Sequence, residues 1–270
     1  MKVAAIQFRC GPERDENLER AAALVRDAAS LGAVVIVLPE LFASLHRNSV
    51  MADRAESLDG PTLGWARALA RELGIVLVPG SFVEAEDGRL FNTSCAIGPD
   101  GGIISTYRKI HLFDIDLDGA TSRESDMFTG GVDATVVDLG HSRLGLTICY
   151  DLRFPELFRI ETLVGADMIA VPSAFTATTG RDHWELLVRA RAVENQVVMV
   201  AAAQWGTSPD GIVRHGHTLI VDAWGRVLAD AGPTDDAVLV AEIDLDAQVE
   251  IRRRLPSLGH RRPEAYDWPD

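Results

Sequence analysis

Three stretches of the chain repeat one pattern: an apolar, largely β-branched run, a proline, two residues, and a phenylalanine. They occupy residues 34–42, 75–82 and 168–175. A short run of apolar residues without polar alternation suits a strand buried on both faces, as in parallel sheets covered by helices. Amphipathic stretches lie between. Leu18, Ala21, Ala22, Val25, Ala28 and Ala29 recur at helical spacing ahead of Gly32, and Leu63, Ala66, Leu69 and Leu73 do so ahead of Gly74. Glycine just past the last periodic residue is a helix stop signal. Buried strands alternating with such helices define an α/β fold. The shared strand ending predicts a pseudo-repeated layer whose strands finish on one edge, where ligands collect in such sheets.

The pattern changes further along. Residues 90–97 and 103–107 flank Gly98-Pro99-Asp100-Gly101-Gly102 and predict a hairpin. A loop over 110–131 is long enough to suggest a functional segment. Strands are expected at 134–139, 143–148, 197–203 and 238–243, with a second hairpin pairing 217–222 and 227–230. Helices are expected after Phe154, over 182–195, and over 245–254. Mixed sheets with helices outside follow from this order. No linker or low-complexity segment divides residues 1–270, so the reading is a single domain.

Composition excludes several classes. Forty acidic residues against 26 basic ones leave a net charge of −14, which argues against a nucleic-acid or anionic-membrane surface. No segment approaches the apolar length of a membrane span, and the apolar run near Met1 is too short for a signal peptide. Cys10, Cys95 and Cys149 are odd in number and widely spaced. They fit neither a disulfide framework nor a zinc motif, so a reducing, cytoplasmic setting is expected. His215 and His217 alternate along an expected strand without a third ligand, and no phosphate-binding fingerprint is present. Neither a metal nor another cofactor is expected.

Three residues stand where chemistry is possible. Cys149 ends the apolar run 144–148, just before the turn Tyr150-Asp151 and a helix starting near Pro155. A cysteine there faces a crevice where backbone N–H groups can stabilise an anion. Glu40 directly follows a buried strand, which raises its pKa and suits it to be a base. Lys109 sits where the first hairpin runs into the long loop, and its ammonium can neutralise developing negative charge.

Pro39-Glu40-Leu41-Phe42, Tyr107-Arg108-Lys109-Ile110-His111-Leu112 and the run from Cys149 to Glu156 resemble the three signatures of the nitrilase, or carbon–nitrogen hydrolase, superfamily. The resemblance spans nearly the whole chain. Pro172-Ser173-Ala174-Phe175 and His260-Arg261-Arg262-Pro263 resemble its Nit1/Nit2 branch, the amidases of deaminated glutathione and of ω-amides. It implies an α-β-β-α sandwich with Glu40 as base, Lys109 as oxyanion stabiliser and Cys149 as nucleophile. Glu124 resembles the family's second glutamate. Asp118 and Ala223 stand where the family usually has proline. By analogy with nucleophile elbows, the Tyr150 N–H completes the oxyanion site.

The implied reaction is hydrolysis of a small carboxylate-bearing amide through a thioester. With Lys109 near, the Glu40 pKa is pulled both ways. Acyl transfer, or hydrolysis of a nitrile or N-carbamoyl group, are alternatives on the same residues. A catalytically silent metabolite-binding pocket is the alternative from another class. Arg153, Arg181 and His183 are candidates for substrate binding, because their segments adjoin the expected site. A homodimer or larger homo-oligomer is also implied, with the helix after Phe154 and residues 255–266 as candidate interface.

Overall fold

The computed structural model describes residues 1–117 and 120–265. In the first half the order is β1 (Lys2–Gln7), α1 (Arg14–Ser30), β2 (Val35–Val37), α2 (Asn48–Asp53), α3 (Pro61–Leu73), β3 (Val76–Val78), β4 (Phe82–Glu86), β5 (Arg89–Ile97) and β6 (Ile103–Arg108). A small hairpin follows, β7 (Asp114–Leu117) with β8 (Ala120–Arg123). Then come β9 (Thr135–Asp138), β10 (Arg143–Leu146), α4 (Pro155–Val164), β11 (Met168–Ala170), α5 (Ala177–Asn195) and β12 (Val198–Ala201). The remainder is β13 (Trp205–Thr207), β14 (Val213–His215), β15 (Leu219–Val221), β16 (Val227–Asp230), β17 (Ala237–Glu242) and α6 (Leu245–Arg254).

Two sheets share one design. In the first, β1, β2 and β3 run parallel, with antiparallel β17 beside β1 and antiparallel β5 beside β3. In the second, β10, β11 and β12 run parallel between antiparallel β9 and β15. This matching arrangement accounts for the repeated strand ending in the sequence.

Strand alternation builds the layers, because successive side chains point to opposite faces. Val3, Ala5, Val35, Val37, Val76 and Val78 pack in one core with Leu144, Leu146 and Met168 of the second sheet. Their neighbours Ala4, Ile6, Ile36, Leu38 and Leu77 pack with Leu18, Ala21 and Val25 of α1 and Leu63, Ala66 and Leu69 of α3. Trp184 and Val188 of α5 and Phe158 of α4 cover the second sheet. The result is the expected α-β-β-α sandwich. Truncating a buried leucine such as Leu63 to alanine would cost about 2–5 kcal/mol.

Several elements differ from the sequence reading. The segment 110–131 carries the β7–β8 hairpin and a 3₁₀ turn at Glu124–Asp126, pinned by the Ser125 N–H and hydroxyl donating to Asp114 at 3.1 and 2.5 Å. Strand β4 is hidden in the sequence by Glu84, a buried charge held by Arg108 at 2.7 Å and by the Thr93 hydroxyl at 2.6 Å. Helix α2 and the pair β13–β14 are too short to show a period. Helix α5 starts at Ala177, not at 182, so Arg181 and His183 lie inside it. There the poor helix former Gly180 packs against His215, leaving no room for a Cβ, and tertiary contact overrides propensity. Asp118 and the tail beyond residue 265, including Tyr266, lie outside the described residues.

Candidate active site

The site is assembled where strands of both sheets end. After β10 the backbone turns sharply at Cys149, whose φ of +48° is left-handed. A non-glycine residue there stores about 1–3 kcal/mol of strain, which the surroundings must hold. They do so through Asp151, which is fully buried. Its Oδ2 accepts from the Ile148 N–H at 2.8 Å and the Tyr107 hydroxyl at 2.7 Å. Its Oδ1 accepts from the His111 N–H at 3.1 Å and lies 2.7 Å from His111 Nδ1. The Cys149 N–H donates to the Pro172 carbonyl at 2.9 Å. Among the described residues, the Tyr150 N–H has no intramolecular acceptor and stays free beside the sulfur's backbone.

Glu40 follows β2 at the adjoining edge. Its approach depends on Gly80 at the end of β3, with φ +61°, where a Cβ would fall 1.8 Å from the Pro39 carbonyl oxygen. The carboxylate is fixed on both oxygens. Oε1 accepts from Asn92 Nδ2 at 2.9 Å and Lys109 Nζ at 3.0 Å, and Oε2 accepts from the Ala174 N–H at 2.9 Å. Its main-chain carbonyl accepts from Gln204 Nε2 at 2.9 Å. Lys109 follows β6, with its N–H on the Asn92 carbonyl at 2.9 Å. Its ammonium is only 1% exposed and also contacts both Glu124 oxygens, at 3.0 and 2.8 Å. The Phe113 N–H holds Glu124 at 2.8 Å.

Electrostatics follow from this packing. Burial pushes the Glu40 carboxyl up, but the Lys109 ammonium and the donors around it prevail and leave its pKa below the usual 4.5. Of the two opposing influences that the sequence leaves in balance on Glu40, the lowering one wins. Glu124 moves the other way: burial, with Glu40 nearby, outweighs Lys109 and raises it. Burial lowers Lys109, yet Glu124, Glu40 and Cys149 together hold its pKa well above 10.5. Burial and the neighbouring Glu40 charge push the Cys149 thiol well above 9.0. The resting cluster is thus a thiol, an ammonium and a pair of carboxyl groups with opposite tendencies.

These groups open into a cavity of about 470 Å³, ordinary for a small-molecule site. Its lining includes Glu40, Lys109, Glu124, Cys149 and Tyr150, together with Phe113, Phe128 and Thr176. Arg153, Arg181 and His183 are not among the lining residues. Arg153 lies over the Tyr150 and Phe175 rings, at 5.8 and 5.3 Å, and touches His183 Nδ1 at 3.3 Å.

The sequence reading misses Asn92, Ala174 and Gln204, which hold Glu40. The signal present was Asn92-Thr93-Ser94, a polar interruption within β5 whose three residues are all buried. The Ala174 contact comes from a backbone N–H and carries no side-chain signature.

Comparison with known proteins gives these observations a family. The profile of the carbon–nitrogen hydrolases matches residues 2–253. The chain belongs to the carbon–nitrogen hydrolase family. This carbon–nitrogen hydrolase is 41% identical to the omega-amidase NIT2 of Mus musculus over 266 residues, covering 98% of this chain and 96% of that one. Saccharomyces cerevisiae Nit3, a member of branch 10 of the nitrilase superfamily, superposes with a TM-score of 0.89 at 30% identity, covering 98% of this chain and 97% of Nit3. A mutant of the Nesterenkonia amidase shows Michael addition of acrylamide at its active-site cysteine. It superposes with a TM-score of 0.79 at 26% identity, covering 95% and 98% of the two chains.

Proposed function

We propose that this carbon–nitrogen hydrolase is an ω-amidase: it cleaves the terminal amide of a small carboxylate-bearing molecule to acid and ammonia. The observation that carries the reading is the cluster of buried Glu40, Lys109 and Cys149 with half-buried Glu124 on the wall of a small-molecule cavity. The mouse omega-amidase at 41% identity supports the substrate class.

In this reading Cys149 is the nucleophile and Glu40 its base. Glu40 is ionised at neutral pH while Cys149 rests as a thiol, so proton transfer accompanies attack on the amide carbon instead of preceding it. The oxyanion is stabilised by the Lys109 ammonium and the free Tyr150 N–H. Lys109 spends its hydrogen bonds on Glu40 and on both oxygens of Glu124. It reaches the oxyanion by releasing one of the two Glu124 contacts. Protonated Glu40 then delivers its proton to the departing ammonia, leaving a thioester. Glu40 next activates water to release the acid. Glu124 positions Lys109. Three unpaired cysteines fit a reducing, cytoplasmic setting.

The assembly in this reading is a homodimer. It is supported by the outer faces of α4 and α5, where Ile160, Leu163, Val164, Leu186 and Val193 are all at least half exposed.

The test is a mass-spectrometric trap of the acyl-enzyme with ω-amides, combined with turnover. Cys149→Ala should abolish both adduct and activity. Glu40→Gln should slow acylation by about 10²–10⁴-fold, the scale of lost general base catalysis. Lys109→Arg keeps the charge but not the compact geometry, and should cost about 10²-fold. An adduct that forms in Cys149→Ala, or a parent enzyme that prefers neutral amides or nitriles, overturns the reading.

A further inference from the structure

Among the described residues the cavity is lined by four cations, Arg47, Lys109, Arg123 and Arg214, against the three carboxylates Glu40, Glu124 and Asp210. That is a net positive wall in a chain of charge −14. Two of the four cations are already spent. Lys109 is buried between Glu40 and Glu124. Arg214 is 8% exposed and its guanidinium is consumed by Asp210, by the Ser208 hydroxyl at 2.9 Å and by the Ala174 carbonyl at 2.9 Å. It braces the same Ala174 whose N–H holds Glu40.

Arg47 and Arg123 differ. Among the described residues neither side chain makes a hydrogen bond or an ion pair, and both are exposed at the cavity wall. Arg47 immediately precedes α2, and Arg123 ends β8, directly before Glu124. Asp114, the partner of Arg123 across the β7–β8 hairpin, already accepts two hydrogen bonds from Ser125. The cavity lining also includes Met51, Ile115 and Phe128, which offer nothing to an anion.

We propose that Arg47 and Arg123 form the carboxylate-recognition pair of this site, holding the acid end of the substrate while its amide faces Cys149. The assignment rests on the ω-amidase reading and names the residues that select its substrate. An arginine with a free planar fork is the side chain suited to a carboxylate, since it offers paired N–H donors. Two such forks on the rim of a cavity also attract an anion to an otherwise repulsive protein. The catalytic cluster is not the place for the acid end: its ammonium is already held by Glu40 and Glu124 and is kept for the oxyanion, and the two glutamates repel a second anion.

The test compares succinamate, which carries a terminal carboxylate, with butyramide, its uncharged counterpart, in the full-length enzyme. The readout is the ratio of kcat/KM for the two. Arg47→Gln and Arg123→Gln should each lower the ratio about tenfold or more, mainly through KM, and the double variant further, as expected for losing charge-assisted contacts. Arg123→Lys, which retains charge, should recover part of the ratio, separating recognition from packing. If the parent prefers succinamate and both Gln variants keep that preference, the pair is wrong while the ω-amidase reading stands. If the parent shows no preference for succinamate, the ω-amidase reading itself fails, and the assignment with it.

Discussion

One ammonium between two carboxyl groups, beside a thiol, makes proton inventory the central issue at the scale of single residues. Were Glu40, Glu124 and Cys149 all ionised, Lys109 would face three negative charges in a dry site. The opposite displacements of Glu40 and Glu124 relieve that repulsion: the negative charge sits on Glu40, whose carboxylate accepts from three donors, and the thiol keeps its proton. Pairs of titratable groups pushed apart in this way mark acid–base chemistry. Glu161 on α4 is a different case. It is fully buried beneath Gly145, and no cation pairs with it among the described residues. Burial, with Asp151 adding repulsion, raises its pKa well above 4.5. Below pH 4.5 the carboxyl is protonated in both folded and unfolded chains and costs nothing through ionisation. As pH rises, the unfolded chain releases this proton while the folded one retains it, so stability falls by about 1.4 kcal/mol per pH unit until the folded group also ionises. Glu161→Gln should remove that slope. Urea unfolding at pH 5 and pH 8 measures it, and an equal pH dependence in parent and variant would show that Glu161 carries no such cost.

At the scale of elements, function depends on how strand ends are turned. Cys149 holds a left-handed backbone because Asp151 gathers donors from β6, from the following loop and from its own turn. Asp151→Asn preserves volume but replaces one acceptor by an NH₂ group that must face an existing donor. The cost should be about 1–3 kcal/mol of stability, with slower acylation as the elbow relaxes. Thermal unfolding and single-turnover acylation check both, and parental values in both would remove the bracing role. Glu40, Lys109 and Cys149 are legible in the sequence for the same reason that they are adjacent: each follows an apolar or hairpin strand whose end can be read from hydrophobic pattern. The far wall of the cavity is not legible, because it comes from α2, the β7–β8 hairpin and the start of α5. Those segments are short, or are made of Thr and Gly residues whose structure is fixed by packing. Arg153 and Arg181 show the limit of sequence adjacency. They neighbour the site along the chain, yet neither is among the residues that line the cavity.

For the whole molecule, the sandwich leaves one helical layer with apolar residues on both sides. In α4, Leu157, Phe158, Glu161 and Thr162 face the second sheet, while Ile160, Leu163 and Val164 face outward with exposures of 50, 51 and 58%. In the adjoining α5, Leu186 and Val193, one heptad apart, are 65 and 53% exposed, and Trp224 of the nearby β15–β16 turn is 52% exposed. A helix that is apolar all round belongs in an interior, and contiguous exposed apolar surface on this scale marks an association site. A second copy of the same chain is the occupant we propose, because a two-fold axis brings identical apolar patches together and keeps the acidic remainder of two chains of charge −14 apart. Such a dimer needs roughly 800 Å² from each partner, within reach of two helices of 10 and 19 residues. Light scattering at micromolar concentration should report a dimer. Ile160→Glu combined with Leu186→Glu places like charges on both sides of the axis and should yield monomers with unchanged circular dichroism, since both side chains point away from the core. A monomeric parent protein, or a double variant that remains dimeric, would show that this layer is not the interface.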